Sequence, residues 1–486
     1  MKKRFLLSLF ILTLVFSFAA RADKQKDAYE ALKPFMEVYA IIQESYVDED
    51  KTVPKDLAEF AIKGMIEHID PFSQYMDPQA YKDMNDDTKA QFGGLGIEIS
   101  VKDGQLIVVS PIEDTPAFNA GIKSGDKIML IEGDSTDGMD VMDAVHKLRG
   151  EVGTKVTISI QRGTSPDYKD YTIERAVIKI ETARCSTLGT DVGYVRINQF
   201  MGDGSDIIEK GIKEFKKDKI KKLVIDLRDD PGGLLDQAVK ISNLFLPKGD
   251  LIVYTEGRSK SKGIEFKGEN DQLYKGDIVV LINGGSASAS EILAGALQDH
   301  GRAIIVGTQS FGKGSVQTII PLSDKSALRL TTATYMTPSG KKIHGVGITP
   351  DIIMEEDVPS SYTTALYEKN IFEDFVKEYL KKHPEGLNTT KKASVKVSES
   401  DIKVLFKKDE DQKLMEDFRN FLKAQKEEIK IQELAQDKSA ILKWIKVEIA
   451  KTLKGRIAGR KAAIENDEQV KRAIDILNVM DKLRKS

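Results

Sequence analysis

The sequence predicts a multidomain α/β protein: an N-terminal helical segment, a small β-rich module, an α/β core and a C-terminal helical region. Three observations predict it. The chain has 486 residues, more than one hydrophobic core ordinarily spans. The apolar period changes along it, from helical spacing to short strands with Gly turns, and then to strands alternating with helices. At 41% hydrophobic and 31% charged the composition suits packed globular domains, and a net charge of −3 offers no general attraction to nucleic acid or an anionic membrane.

The first 22 residues read as a targeting segment. Lys2-Lys3-Arg4 is a basic start, residues 5–18 are apolar, and Ala20-Arg21-Ala22 has the small-x-small form of a cleavage site. The apolar run is short for crossing ~30 Å of hydrocarbon, so a secretory signal is expected, with an uncleaved membrane anchor as the alternative. The chain is therefore expected to be exported, to a periplasm or cell envelope. Cys185 is the single cysteine, which excludes an intrachain disulfide; in "TARCSTLGT" it reads as a half-buried strand residue rather than a nucleophile.

Residues 23–91 carry apolar residues at helical spacing in "AYEALKPFMEVYAIIQESYV" and "LAEFAIKGMIEHI", and "DPFSQYMDP" breaks the pattern with two prolines. Residues 92–176 hold the strand-like runs "LGIEISV", "QLIVVSPI", "DKIMLIEG" and "KVTISIQR", and a short helix, "MDVMDAVHKLRG". Residues 177–357 alternate strands such as "KLVIDL", "DIVVLIN" and "RAIIVG" with helices such as "GLLDQAVKISNLFL" and "SASEILAGALQDH", an α/β pattern. Residues 358–486 are rich in Lys and Glu, and their amphipathic helices mix both signs of charge, the pattern of a solvated helix face rather than a nucleic-acid surface.

The stretch "GTQSFGKGS", Gly307 to Ser315, follows an apolar strand and comes within one residue of a phosphate-binding loop. That motif wants Ser or Thr directly after the Lys, and a helix to follow. Here Gly314 follows Lys313, and "SVQTII" reads as a strand. A lysine on a strand, with Gln317 on the same face, suits a positioned base instead. Such a lysine must be neutral, a state favoured when burial strips hydration from the charged form. Gly312 and Gly314 permit close backbone approach.

A nucleophile for such a base is found in "NGGSASASEILAGALQDH", where a strand ends at a Gly pair and small residues open a helix. Ser288 with Glu291 makes the S-x-x-E pattern of a capping box, so a plain helix cap is the competing reading. The same helix start offers unpaired N–H groups that suit an oxyanion. A second donor loop is "DLRDDPGGLLD", where Gly232 and Gly233 expose backbone amides after a strand. Among five histidines none stands in a triad context. His300 suits a helix C-terminus, and His344 lies in a loop that could approach the site. A Ser–Lys hydrolase fits better than Ser–His–Asp.

These motifs strongly resemble the C-terminal processing (tail-specific) serine peptidases. The resemblance runs from about Tyr39 to Asp351 and takes in "GMIEHIDPFSQYMDP", "FGGLGIEI", "AGIKSGDKIMLIEG", "DLRDDPGGLL", and the long segment from "NGGSASASE" to "GVGITPD". It implies a core of the crotonase/Clp-protease type and a PDZ-like module over residues 92–176. The implied nucleophile is Ser288, the base Lys313, and the residue orienting it Gln317. The implied oxyanion donors are the amide of Ala289 and one from Gly232 or Gly233. For the PDZ module the resemblance implies capture of a substrate C-terminus at Gly93, Gly94, Leu95, Gly96 and Ile97, with Arg149 a candidate gating contact. No metal or organic cofactor is implied. Expected partners are proteins or peptides with apolar C-terminal tails, with self-assembly and an adaptor protein as further candidates, and no nucleic acid. A catalytically silent PDZ scaffold is the alternative. One position departs: the family commonly has Asn before P-G-G, where this chain has Asp230. Its charge would oppose an oxyanion unless paired, with Arg228 the candidate partner.

Overall fold

The structure, a computed structural model, describes residues 27, 29–383 and 411–485, apart from residues 103, 113, 124, 164–166, 259–262, 426 and 428. The expected signal segment and part of the C-terminal region therefore lie outside the described residues. The chain divides into two units, residues 1–81 with 317–331, and residues 82–316 with 332–486.

In the first unit, helix spans residues 29–45 and Pro54–Glu67, the latter with Pro at its first turn, where no N–H is needed. The "DPF" break is an Asp-headed turn. Asp70 accepts the N–H groups of Phe72 at 2.7 Å and Ser73 at 2.8 Å, which ends the helical run and starts the strand Gln74–Met76. That strand pairs antiparallel with Ala327, Leu328 and Arg329.

The second unit opens with the β-rich module. Its sheet contains the strands Ile97–Lys102, Gln105–Pro111, Lys127–Ile131, Lys155–Gln161 and Tyr168–Glu174, with the short Asp134–Ser135 beside Lys127–Ile131. The inward residues Leu106, Val108, Ile128, Ile131, Val156, Ile158 and Ile160 form one core with Ala144 and Leu148 of the helix Val141–Leu148. Their near-alternation along each strand is the period that marked these runs as half-buried strands. A ribbon of Gln91–Gly94 with Ala176–Lys179 closes the module at its base.

The α/β core is a six-stranded sheet. Ala183–Leu188 runs antiparallel to Val192–Ile197, and Lys222–Asp226, Asp277–Ile282, Ile304–Gly307 and Ile352–Ile353 follow in parallel order. Alternate side chains go to opposite faces. Leu223, Ile225, Ile278, Val280 and Ile282 pack with residues of the helices Gly204–Lys217, Leu235–Asn243 and Ala289–Asp299. Val224, Val279, Leu281 and Val306 face the other way and meet Val470, Ala473 and Leu477. Those last three belong to the final helix, Glu468–Lys485. The region 358–486, expected as amphipathic helices with a solvated charged face, splits into two parts. Its earlier helices keep a separate aromatic core around Phe372, Phe375, Phe418 and Trp444, and the last helix covers the second face of the sheet.

Candidate active site

Neighbouring parallel strands end together, and their exit loops build the site. Residues 227–233 follow Lys222–Asp226, residues 283–288 follow Asp277–Ile282, and residues 308–314 follow Ile304–Gly307. The crevice beyond the carboxyl ends of such strands is where an open α/β sheet binds its ligands. The ladder continues into the loops: Leu227 N–H donates to the Leu281 carbonyl at 2.9 Å and Thr308 N–H to the Ile282 carbonyl at 3.2 Å.

The serine-rich turn is tightly bonded. Asn283 Oδ1 accepts the N–H groups of Asp229 at 2.8 Å and Gly285 at 3.0 Å, and its side-chain amide donates to Asp229 Oδ1 at 2.9 Å and to Glu356 Oε1. Ser286 Oγ accepts the Asn283 N–H at 3.0 Å and donates to the Leu227 carbonyl at 2.8 Å. Ser290 Oγ donates to the Asp230 carbonyl at 3.0 Å. The two flanking hydroxyls thus serve the backbone. Between them Ser288 has φ 55° and ψ −110°, a strained conformation for a residue with a Cβ. A strained strand-to-helix turn is a known device for projecting a nucleophilic side chain.

Glu291 ties this turn to the lysine loop. Its side chain is fully buried. One oxygen accepts the N–H groups of Ser288 at 2.8 Å and Lys313 at 2.9 Å; the other accepts Ser310 Oγ at 2.5 Å and the Gly312 N–H at 2.6 Å. Ser288 and Lys313, 25 residues apart in sequence, are thus brought to the same carboxylate oxygen. The capping box expected of Ser288 and Glu291 is present, but the other three bonds to the carboxylate join residues distant in sequence, which no local pattern reveals.

The loop 308–314 is fixed from the other side as well. Phe311 N–H donates to the Ser286 carbonyl at 3.0 Å, and the Gly345 N–H to the Gly312 carbonyl at 2.9 Å. A Cβ on Gly314 would stand 2.3 Å from the His344 nitrogen, so only glycine fits there. His344, expected near this loop, has its backbone against it. Gln317 falls in the first unit, where its side-chain amide donates to Thr331 Oγ1 at 3.4 Å.

The Gly pair lies against the serine turn. Gly232 has φ 96°, and a Cβ there would sit 2.8 Å from the Ala289 nitrogen and 2.9 Å from Ser288 Cβ. The Gly232 N–H donates to Asp230 Oδ1 at 2.8 Å, so it is already engaged. The N–H groups of Gly233 and Ala289 have no hydrogen-bond partner among the described residues. Asp230 is fully buried, and burial pushes its carboxyl up to about 7. The expected Asp230–Arg228 pair does not form. Arg228 instead binds Asp226 through Nε at 2.9 Å and Nη2 at 2.7 Å, and reaches Asp467 Oδ1 at 3.0 Å and Gln469 Oε1 at 2.9 Å. Asp226, buried in the sheet, offers a closer and bidentate partner.

In the β-rich module a cavity of 90 Å³ is lined by Phe92, Leu95, Ile97, Ile99, Val145 and Leu148, among others. Gly94 and Gly96 line it too. Gly93 lies beside it, with its carbonyl accepting the Gly150 N–H at 3.1 Å. Arg149 stands at its edge, stacked 4.1 Å from the Phe92 ring centroid and bonded to Asp87 Oδ1 at 2.9 Å. Elsewhere, Cys185 packs against Gly211, and burial pushes its thiol up to about 12, which removes it as a nucleophile. His300 caps the helix Ala289–Asp299 and meets the Leu251 carbonyl at 2.7 Å, outside the site loops.

Three stretches of the chain match known protein families. Residues 191–354 match peptidase family S41, residues 93–174 match the PDZ domain, and residues 15–80 match the activating protease CtpB N-terminal domain. The carboxy-terminal-processing protease of Bartonella bacilliformis is 46% identical over 356 residues, which are 72% of this chain and 81% of that protein. The chain belongs to the carboxy-terminal-processing proteases of peptidase family S41. Among solved structures, the photosystem II D1 C-terminal processing protease is 26% identical and covers 66% of this chain and 92% of its own, with a TM-score of 0.41. The PDZ domain of a Vibrio cholerae carboxy-terminal protease, solved in complex with a peptide, is 25% identical and covers 18% of this chain and 99% of its own, with a TM-score of 0.18. As a carboxy-terminal-processing protease, this chain is a serine-type peptidase that carries a PDZ domain and acts on peptides. Among the described residues no helix is long and apolar enough to cross a membrane.

Proposed function

We propose that this chain is an exported endopeptidase that captures apolar C-terminal tails through its PDZ domain and cuts nearby by a Ser–Lys mechanism. The observation that carries the reading is the buried Glu291 carboxylate, which accepts the amides of both Ser288 and Lys313 on one oxygen. Ser288 Oγ attacks the substrate carbonyl and gives its proton to the neutral amine of Lys313, which Gln317 orients. The tetrahedral oxyanion is held by the Ala289 and Gly233 amides, which support this role because neither has another partner among the described residues. Gly232 supplies the absence of a side chain at that spot. Each oxyanion donor is worth roughly 10²–10³ in rate. Lys313 then protonates the leaving amine, and water, deprotonated by the same lysine, releases the acyl-enzyme.

The substrate carboxylate is received at Gly93–Ile97, and the last side chain enters the apolar cavity beside Leu95 and Val145. The domain limits that go with this reading are a signal at 1–22, a helical region at 23–91, PDZ at 92–176, peptidase core at 177–357 and helices at 358–486. Ser288→Ala and Lys313→Ala are each expected to lower cleavage of an unfolded protein by at least about 10³-fold with unchanged circular dichroism. Cleavage retained in either variant overturns the mechanism. A wild type that binds tail peptides without turning them over would favour a silent scaffold.

A further inference from the structure

We propose that Asp230 is a positioning residue that works only as the neutral carboxylic acid, and that loss of its proton turns the oxyanion loop off. The inference rests on Ser288 and the Gly233 and Ala289 amides acting as proposed above.

Asp230 holds two pieces of the site together. Its Oδ1 accepts the Gly232 N–H at 2.8 Å, which sets the turn that leads to Gly233. Its main-chain carbonyl accepts the Ala287 N–H at 3.0 Å and Ser290 Oγ at 3.0 Å, which fastens the loop to the serine turn. Yet its Oδ2 is buried with no hydrogen-bond partner among the described residues. A dry carboxylate oxygen without a donor is far costlier than the same oxygen carrying a proton.

The charged groups around it do not supply that donor. Asp226 and Arg228, on its own strand end, are bonded to each other. Arg196, on the adjacent strand, is bonded to Asp226 Oδ1 at 3.0 Å. Arg196 is the cation whose field reaches Asp230, and it is outweighed by burial. Asp229 is taken by Asn283, and Glu291, on the facing helix, by the amides of Ser288, Gly312 and Lys313 and the Ser310 hydroxyl. Lys313 donates its backbone N–H to Glu291 Oε2 at 2.9 Å. Burial accordingly raises the Asp230 carboxyl to about 7.

The neutral acid has the shape and charge of an asparagine side chain and leaves Oδ1 free to accept from Gly232. The ionised form places a negative charge two residues before Gly232, where it opposes the oxyanion that Gly233 and Ala289 stabilise. The rate then needs Lys313 without its proton and Asp230 with one, which gives a bell-shaped profile.

The test is kcat/KM against pH for the full chain on an unfolded protein substrate, comparing wild type with Asp230→Asn, with Ser288→Ala as control. The wild type is expected to lose at least about 10-fold along its alkaline limb; Asp230→Asn is expected to keep the acid limb and lose the alkaline fall. An alkaline fall of equal size in Asp230→Asn overturns the proposal, as does a folded Asp230→Asn that is inactive at every pH. Cleavage by Ser288→Ala would instead overturn the catalytic reading itself. Infrared titration of wild type carrying carboxyl-labelled aspartate gives a readout that needs no variant. A buried protonated carboxyl that ionises only near pH 7 supports the proposal, and its absence overturns it.

Discussion

Glu291 joins the turn of Ser288 to the loop of Lys313 through its carboxylate alone. Four donors converge on its two oxygens, and three of them are backbone N–H groups. A glutamine there has one acceptor oxygen, and its NH₂ would face N–H donors. Each buried N–H left unpaired costs about 1–3 kcal/mol, and the Ser288 turn is already strained by its positive φ. Glu291→Gln is expected to lower kcat by about 10²-fold or more with little change in KM, because geometry rather than binding is lost. Steady-state kinetics beside a thermal melt checks this: a variant that melts like wild type and keeps its kcat would show that the carboxylate is only a cap.

At the scale of elements, the final helix is joined to the loop that precedes Asp230. Arg228 links the buried Asp226 to Asp467, the residue just before the helix Glu468–Lys485, and Lys443 reaches the same carboxylate at 2.8 Å. Burial by itself would raise the Asp467 carboxyl, but Arg228 and Lys443 outweigh it and hold it below its ordinary value. The folded pKa is thus depressed. The stabilisation it represents is complete above the unfolded carboxyl value of 3.8 and is lost as pH falls through the lower folded value. Asp467→Ala leaves a buried guanidinium short of a partner, at an expected cost of about 3 kcal/mol. Urea unfolding at neutral pH measures that cost. The gap between variant and wild type should close in acid; a gap that persists below the folded value would assign the effect to packing. The element boundaries themselves were mostly legible, since the strands around Leu223, Ile278 and Ile305 announce themselves by β-branched runs. Tyr168–Glu174 was missed because Lys169, Asp170, Thr172 and Glu174 leave too few apolar residues to show a period.

For the whole molecule, the tail capture and the cleavage proposed above fall on separate cores, so they should separate in kinetics. Val145 lines the PDZ cavity on the helix Val141–Leu148, far in sequence from the loops around Ser288. A carboxylate placed there meets an apolar wall and the terminal carboxylate of the tail. Val145→Glu is expected to weaken binding of an apolar tail peptide by at least about 10-fold. Fluorescence anisotropy with a labelled tail peptide checks it, and undiminished binding would move the tail site elsewhere.

Read alone, the sequence yields the fold class and the residues proposed for catalysis. Ser288 in its small-residue turn, Lys313 between two glycines before a strand, and the Gly pair after "DLRDD" are local patterns, and local patterns record what a backbone needs at each turn. Only the tertiary structure decided how those turns are held. It gave Glu291 its partners on a distant loop, turned Arg228 away from Asp230 toward Asp226 and Asp467, left Asp230 buried with one oxygen unpaired, and laid the last helix over the second face of the sheet. The physical reason is common to all four. Hydrogen bonding and burial of a polar group depend on which distant segments fold against it, and spacing along the chain carries no record of that.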